Sequence, residues 1–309
     1  MKSGKYGKIN TQGKGILFLM REYLRIVKEV MEHGMKKDDR TGTGTLSVPG
    51  MMFAHDMQAG FPLLTTKKMP YRLVASELEF FIKGITDKEW LKSRDNHIWD
   101  EWATPLKVQY AHDEETKKKM LAERDLGPLY GWQWRHFGAK YRGYEVDYTG
   151  EGVDQLRRLV HDITTTPHSR QMLVLAWNPM DRDKVVPPFC HFGYQVTVLG
   201  GKLNLIWFQR SADLALGLPF NIASYATLLI LLALETGLKP GKLTGFLGDA
   251  HIYLNHVEGL KEQLARDPET YPLPQLKINN FRSLFDWQYT DAEVVGYESY
   301  PGIKFPIAV

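Results

Sequence analysis

The pattern of helical and strand-like segments predicts a mixed β-sheet with packed helices, an α+β fold rather than a Rossmann fold. Helical and strand patterns alternate along the chain without a regular strand–helix–strand rhythm. Residues 194–208 are strand-like with Gly200-Gly201 at their middle, which indicates an antiparallel hairpin. Residues 219–234 form a long apolar helical segment with Pro219 in its first turn. Together these features favour helices packed on one sheet.

The amino-terminal elements follow from the spacing of apolar residues. Residues 1–14 lack useful apolar periodicity and predict a flexible tail, so that a single domain spans residues 15–309. The segment 16–33 has apolar residues at helical spacing, and Gly34 ends it. The next predicted elements are a strand over 46–57 interrupted by Pro49-Gly50, a buried helix over 73–82 and a short helix over 88–92.

Residues 104–124 are polar and charged and predict a surface insertion, with a helix near 114–122. The remaining expected elements are an amphipathic helix over 153–163, strands over 171–177 and 243–247, and a helix over 251–264.

Composition narrows the class of protein. The chain has 309 residues, and 39 Lys plus Arg against 36 Asp plus Glu leave a net charge of +3, too small to argue for nucleic acid. One cysteine excludes an internal disulfide and a cysteine-built metal cluster. The longest apolar run, over 226–234, is well short of the ~20 residues of a membrane helix. We therefore expect a soluble, cytoplasmic protein that binds neither metal nor membrane.

The single cysteine, Cys190, has two interpretations. A lone cysteine is commonly an inert small hydrophobe. The Pro187-Pro188 turn before it fixes the backbone, and nearby arginines or His191 could stabilise the reactive thiolate. His191 is weak support by itself, because neighbouring residues of a strand point to opposite faces.

Several polar residues could bind a phosphate or a base. Arg210-Ser211 closes an apolar strand, where a guanidinium beside a hydroxyl suits a dianion, and Arg40 and Arg170 are further candidates. Asn221 carries a donor and an acceptor that match the O4 and N3–H edge of uracil, although it could instead bond its own helix end.

Three more residues have a structural and a functional interpretation. His251 and Tyr253 lie two apart where ligand groups commonly occur, or they form buried structural hydrogen bonds. Glu77 lies on an apolar helix, where a raised carboxyl pKa would suit a proton shuttle. Glu79, two residues on, should point elsewhere.

Taken together, eight blocks in order resemble the thymidylate synthase family, from about residue 22 to residue 309. They are DRTGTGT (39–45), FPLLTTKK (61–68), IWDEW (98–102), DLGPLYG (125–131), CH (190–191), QRS (209–211), GLPFNIASY (217–225) and GDAHIY (248–253). The resemblance implies a homodimer with the sheet at the subunit interface, and a deoxyuridylate site beside a 5,10-methylenetetrahydrofolate site.

The resemblance also implies a role for each matching residue. Cys190 would attack C6 of dUMP, which makes C5 a nucleophile, and the folate would supply the carbon and a hydride to give dTMP. The implied catalytic residues are Cys190, Glu77, Tyr130, His191 and Asn221. The implied dUMP ligands are Arg40, Arg210, Ser211, Asn221, His251, Tyr253 and, from the partner subunit, Arg170. The implied folate residues are Lys67, Trp99, Trp102, Asp213 and Val309.

The chain departs from the family pattern at four places, which keeps alternatives open. Gln171 follows Arg170 where a second arginine is usual, Phe189 replaces a proline before Cys190, Glu79-Phe80 replaces an apolar residue and a tryptophan, and 192–194 are atypical. The Glu77-Leu78-Glu79 pattern favours a dUMP hydroxymethylase, in which water captures the methylene. The carboxyl-terminal Pro-Ile-Ala-Val favours the synthase. A regulator that binds nucleotide, folate or RNA without turnover is the third alternative, and the set Cys190, Glu77 and Asn221 argues against it.

Overall fold

The computed structural model describes residues 18–307, so the expected tail over 1–14 and the proposed role of Val309 lie outside the described residues. The helices are α1 (Phe18–His33), α2 (Tyr71–Ile82), α3 (Glu89–Lys92), α4 (Glu114–Ala122), α5 (Tyr130–His136), α6 (Gln155–Thr165), α7 (Gly217–Glu235) and α8 (Val257–Leu264). The strands are β1 (Met35–Lys37), β2 (Thr45–Asp56), β3 (Leu173–Leu175), β4 (His191–Leu199), β5 (Lys202–Asp213), β6 (Lys239–Tyr253), β7 (Gln275–Ile278) and β8 (Ala292–Val295).

Six strands form one mixed sheet in the order β1-β2-β6-β5-β4-β3, while β7 and β8 form a separate antiparallel pair. The β4–β5 hairpin turns at Gly200-Gly201, both with positive φ, as the sequence predicts. Only β5 and β6 run parallel, joined across α7, and every other pair in the large sheet is antiparallel. The mixed-sheet prediction is confirmed.

Three predictions around β2 and β6 are wrong: the extent of β6, the start of the helix that follows it, and the interruption of β2 at Pro49-Gly50. β6 runs from Lys239 to Tyr253, far beyond the expected 243–247, and the helix expected from residue 251 begins at Val257. β6 is the central strand between β2 and β5, so hydrogen bonding on both sides extends it through residues of weak strand propensity. Similarly, β2 continues through Pro49, which pairs with Asp249 beyond the part of β2 that β1 covers.

The two faces of the large sheet differ. On the inner face, buried side chains of alternate residues, such as Leu205 and Trp207, pack with α7 in the core. On the outer face, Phe192 stacks on Phe208 and Phe208 on Phe246, with centroids 6.0 and 5.8 Å apart. Phe246 is 41% exposed. The outer face therefore presents an aromatic row across β4, β5 and β6.

Helix α7 is, among the described residues, the one helix whose length and apolarity would suffice to cross a membrane, and 67% of its most apolar window is buried inside the protein. The core helix of a soluble protein meets the same criterion. α7 connects the parallel strands β5 and β6, and its first turn carries Asn221 to the end of the sheet.

The segment 104–124 is mostly exposed and contains α4 within the predicted bounds. Its ends, however, are anchored. Thr104 is fully buried and donates its hydroxyl to the Lys184 carbonyl at 2.6 Å. The ammonium of buried Lys88 donates to the carbonyls of Asp100, Trp102 and Met120 at 2.6–2.8 Å. Thr104 thus fastens one end of the segment to Lys184, and Lys88 connects the other end to the loop that precedes the segment.

Candidate active site

Cys190 lies immediately before β4 and is partly exposed. Its backbone N–H donates to the Tyr130 hydroxyl at 2.8 Å, and its carbonyl accepts from the Arg210 N–H at 2.8 Å. Tyr130 comes from the first turn of α5 and Arg210 from β5. Backbone hydrogen bonds from two elements therefore fix the position of the thiol.

The guanidinium of Arg210 lies close to this turn. It donates to the carbonyls of Phe189 and Pro188 at 2.8 and 2.7 Å, and it lies over the Trp177 ring at 5.7 Å. Burial raises the pKa of the Cys190 thiol, and the positive charges of Arg210 and Arg40 act against that rise without cancelling it. The Arg210 side chain is exposed, so the guanidinium N–H groups that do not donate to the Phe189 and Pro188 carbonyls can bind an anion.

His191 does not supply charge to the thiol, which corrects the expectation that it could stabilise a thiolate. Its ring is buried, stacks on Tyr130 with centroids 4.2 Å apart, and bonds the Tyr225 hydroxyl through Nδ1 at 2.9 Å. Burial lowers the pKa of His191 to about 3, so the ring is neutral. It supports Tyr130, which in turn holds the Cys190 backbone.

Asn221 is oriented by a chain of amides that begins in the core. The Trp207 indole N–H donates to Gln209 Oε1 at 3.1 Å, and Gln209 Nε2 donates to Asn221 Oδ1 at 3.0 Å. This fixes which end of the Asn221 amide is free, because the oxygen is the engaged end and the N–H₂ group is not. Gln209 lies in one of the family blocks but was given no role from the sequence, although an amide at the next alternate position after Leu205 and Trp207 on an apolar strand was the available signal.

Glu77 and Trp99 form a hydrogen-bonded pair beside Tyr130. The Trp99 indole N–H donates to Glu77 Oε1 at 2.7 Å, and the Trp99 ring packs against Tyr130 with centroids 6.2 Å apart. Burial raises the pKa of Glu77 to about 7, with the Trp99 hydrogen bond opposing the rise. The carboxyl group can therefore gain or lose a proton near neutral pH.

The ends of β5 and β6 bring further candidates together because the strands are parallel. Ser211 pairs with Asp249, and Asp213 pairs with His251. His251 Nδ1 lies 3.3 Å from the Asp249 carbonyl, and its ring contacts Tyr253 edge to face at 5.3 Å. Burial raises the pKa of Tyr253 to about 12, so its hydroxyl stays protonated.

Lys67 lies deeper than expected of a ligand contact. It is 4% exposed, its ammonium donates to the Ala215 carbonyl, and it lies 4.8 Å from the Phe305 ring centroid. Burial lowers the pKa of Lys67 to about 8, with Asp213 acting in the opposite direction. Lys67 thus joins the Asp213 turn to the carboxyl-terminal segment.

Arg40 is held by aromatic residues from two loops. Its guanidinium donates to the Tyr110 hydroxyl and lies 5.2 Å from the Tyr110 ring and 5.6 Å from the Trp102 ring. Tyr110 and Trp102 stack with centroids 6.2 Å apart. Tyr110 belongs to the segment expected to be a mere surface insertion, so that interpretation was incomplete.

Arg170 lies apart from these residues in the chain. It is exposed and precedes β3, the edge strand, and its carbonyl accepts from Gln195 Nε2 at 3.1 Å. Gln171 is likewise exposed. A role for Arg170 at the phosphate would need a second copy of the chain.

The atypical residues have structural partners. Glu79 is 2% exposed, pairs with Lys83 and accepts from the Tyr289 N–H at 2.8 Å, so it points away from the Glu77–Trp99 pair as expected. Phe80 packs against Trp90 at 5.9 Å. Phe189 is fully buried against Tyr130 and Trp177. Phe80 and Phe189 therefore fill positions in the hydrophobic core.

Comparison with known proteins decides the family. The thymidylate synthase family model matches residues 21–309. The chain belongs to the thymidylate synthase family. A bifunctional dihydrofolate reductase-thymidylate synthase of Paramecium tetraurelia is 43% identical over 293 residues, which cover 93% of this chain and 61% of that protein. The chain thus spans about three fifths of the length of this curated relative of the family.

Proposed function

We propose that the chain methylates dUMP to dTMP with 5,10-methylenetetrahydrofolate as donor of the carbon and the hydride. The observation that carries this proposal is that Tyr130 connects Cys190 to the Glu77–Trp99 pair: its hydroxyl accepts from the Cys190 N–H, and its ring packs against Trp99. Arg210 binds the carbonyls just before Cys190, and Gln209 orients the Asn221 amide. A nucleophile, an anion-binding group, a proton carrier and an amide suited to uracil are the groups that this reaction requires.

Nucleotide binding would use the ends of β5 and β6. Arg210 and Ser211 would hold the phosphate together with Arg40, while His251 and Tyr253 would hold the sugar hydroxyl. The engaged Oδ1 of Asn221 leaves its N–H₂ for O4 of uracil and a remaining oxygen lone pair for N3–H. Cytosine carries an amino group at C4, which is a donor. It would face the Asn221 N–H₂, which is also a donor, and would find no acceptor there.

The covalent step would begin with the Cys190 thiolate. Sγ forms a bond to C6, and the electron pair of the C5–C6 double bond moves to C5 and O4, so that C5 can form the new carbon–carbon bond. Phosphate binding beside Arg210 fixes C6 near Sγ. Glu77, which can exchange a proton near neutral pH, would serve O4 and the departing C5 proton, with Tyr130 holding the Cys190 backbone.

The folate would pack against the rings of Trp99 and Trp102, with Asp213 as a polar anchor. Flat aromatic surfaces and a partly buried carboxylate suit a fused heterocycle with N–H donors. Lys67 would act through Phe305 and the Asp213 turn. No group of three His, Cys, Asp or Glu side chains in residues 18–307 is arranged to hold a metal, and no step here uses one.

A homodimer would complete the phosphate site. The aromatic row Phe192, Phe208 and Phe246 on the outer sheet face gives an apolar surface that a second copy could cover, with partly exposed Met52 paired to Phe246. Arg170, exposed beside this sheet, would then reach the nucleotide of the partner subunit. Sedimentation equilibrium tests the dimer.

The decisive experiment is the mass of the nucleotide formed from dUMP and methylenetetrahydrofolate. A methyl product accompanied by dihydrofolate supports the proposal. A hydroxymethyl product accompanied by tetrahydrofolate would replace it with the hydroxymethylase. Tight binding of dUMP without any product would instead indicate a regulator.

A further inference from the structure

His256 is a buried histidine between β6, α8 and the carboxyl-terminal segment. Its side chain is fully buried, and Nε2 lies 2.7 Å from the Pro306 carbonyl oxygen. A carbonyl oxygen can only accept, so Nε2 carries a hydrogen and donates it. The ring therefore binds the chain at residue 306 directly.

The second ring nitrogen faces a group of the proposed folate site. Nδ1 is buried and has no hydrogen-bond partner within the described part of the chain, and Asp213 Oδ1 lies 3.7 Å away. A neutral ring with hydrogen on Nε2 would direct an Nδ1 lone pair at this carboxylate, whereas a protonated ring would donate from both nitrogens.

The charges around the ring agree with this geometry. Burial alone would lower the pKa of His256, but Asp213 and the Pro306 carbonyl raise it above its ordinary value despite the opposing charge of Lys67. Burial would raise the pKa of Asp213, and His256 is foremost among the groups that lower it. The two residues thus stabilise each other's charged forms.

The carboxyl-terminal segment also packs against α8. The Phe305 ring contacts the His256 ring with centroids 5.2 Å apart. At Gly259 an added Cβ would lie 2.6 Å from Phe305 Cε1, so a glycine is needed for this close approach. The segment is therefore docked by a hydrogen bond at Pro306 and by shape at Phe305.

We propose that His256 is a positioning residue that couples docking of the carboxyl-terminal segment to the orientation of the Asp213 carboxylate, and thereby sets the affinity for the folate. The inference rests on the proposed function for the ligand of Asp213, while the coupling itself concerns only contacts within the chain. Nucleotide binding by Cys190 and Arg210 should be independent of it.

Two amide substitutions separate the two ring nitrogens. In His256→Gln the amide N–H₂ can reach the place of Nε2 and keep the Pro306 bond, whereas in His256→Asn the amide reaches only the place of Nδ1. Release of the peptide after Lys304 by trypsin, followed by mass spectrometry, should stay near the wild-type rate in His256→Gln and accelerate about tenfold in His256→Asn, because the segment must leave its contacts to be cleaved. The KM for methylenetetrahydrofolate should rise about fivefold to tenfold in both variants, with dUMP affinity within about twofold.

Gly259→Ala provides a second perturbation that leaves His256 unchanged. It should displace Phe305, accelerate tryptic cleavage after Lys304 and raise the folate KM as His256→Asn does. Thermal unfolding of each variant verifies that it is folded. An unchanged cleavage rate in His256→Asn, or an unchanged folate KM in both amide variants, would overturn the coupling. Lack of any turnover by the wild-type protein would refute the proposed function, and the cleavage measurement would still test docking of the segment.

Discussion

The proposed nucleotide site and the proposed folate site are built by different means. On the nucleotide side, Arg210 lies on β5 and its N–H donates to the Cys190 carbonyl, while the Tyr130 hydroxyl holds the Cys190 N–H. On the folate side, Trp99 and Trp102 lie in a loop that side chains fasten, through Glu77 and through Lys88. Even Arg40, from the loop before β2, is held by a side chain rather than by a strand.

This difference teaches how each side should respond to change. Arg210 and Ser211 lie on β5, whose position is set by backbone bonds to β4 and β6, so substitution there alters the chemical group and leaves the geometry in place. A loop held by one or two side chains can shift when a single contact is lost. We therefore expect large effects on chemistry when the reacting groups Cys190 and Glu77 are replaced, and graded effects on binding when a contact that holds a loop is lost.

The largest effect is expected for Cys190→Ser. The thiolate supplies the covalent bond to C6 and little ground-state affinity, so kcat should fall by roughly 10⁴-fold or more while dUMP affinity stays within about tenfold. Single-turnover product formation and calorimetric titration measure the two quantities. Near wild-type turnover in this variant would show that Cys190 is not the nucleophile.

Glu77→Gln should show a large loss of activity and a gain of stability. A glutamine keeps an oxygen for the Trp99 N–H but cannot carry the proton, so kcat should fall about 10²- to 10³-fold. Burial raises the pKa of Glu77 from 4.5 to about 7, so the native state holds a proton that the unfolded chain releases within this window. Wild-type stability therefore falls as pH rises from 4.5 to 7.

The variant lacks that loss, so at pH 8 it should be more stable than wild type by about 1–3 kcal/mol, and the difference should vanish near pH 4. Denaturant unfolding at both pH values measures this. A variant that is less stable at pH 8 would show that the Glu77 carboxylate is stabilised in the native protein.

Lys88→Met should have an intermediate effect confined to the folate side. It leaves the carbonyls of Asp100, Trp102 and Met120 without their shared donor, which should lower the unfolding free energy by about 1–3 kcal/mol and raise the folate KM severalfold. Affinity for dUMP should hardly change. Lys92→Met is the matched control, since Lys92 makes one long contact to Leu121 at 3.4 Å. Equal effects of the two substitutions would count against a special role of Lys88.

Tyr110→Phe should have the smallest effect. It removes the hydroxyl that accepts from Arg40 and keeps the ring that stacks on Trp102, so dUMP affinity should weaken about threefold to fivefold without a change in kcat. Tyr144→Phe is a suitable control, because Tyr144 lies beside Arg124 instead. Tighter dUMP binding by Tyr110→Phe would mean that Tyr110 competes with the phosphate for Arg40.

Residues on regular elements were the ones that the sequence could predict. The mixed sheet, the Gly200-Gly201 hairpin and the bounds of α4 follow from local patterns, and strand alternation already indicated that His191 points away from the thiol. The roles predicted for Cys190, Glu77 and Asn221 remain predictions, although Tyr130 connects Cys190 to the Glu77–Trp99 pair and Gln209 orients Asn221.

Contacts between distant residues were out of reach of local patterns. Tyr110 lies in a polar segment and meets Arg40 seventy positions away, and His256 meets Pro306 fifty positions away. The residues around Tyr110 and around His256 in the sequence do not indicate these distant contacts. The length of β6 was also hidden, because its two neighbouring strands determine it.

The central position of β6 has a consequence for how the chain acquires its structure during synthesis. β6 pairs with β2, about 200 residues earlier, and with β5 through the α7 crossover. Until residue 253 has left the ribosome, β2 and β5 each lack β6 as a neighbouring strand. Their unpaired edges and apolar faces can then aggregate. Such distant strand pairing also slows folding. We therefore expect the nascent chain to depend on chaperone binding until late in its synthesis, and truncation before β6 to yield insoluble protein.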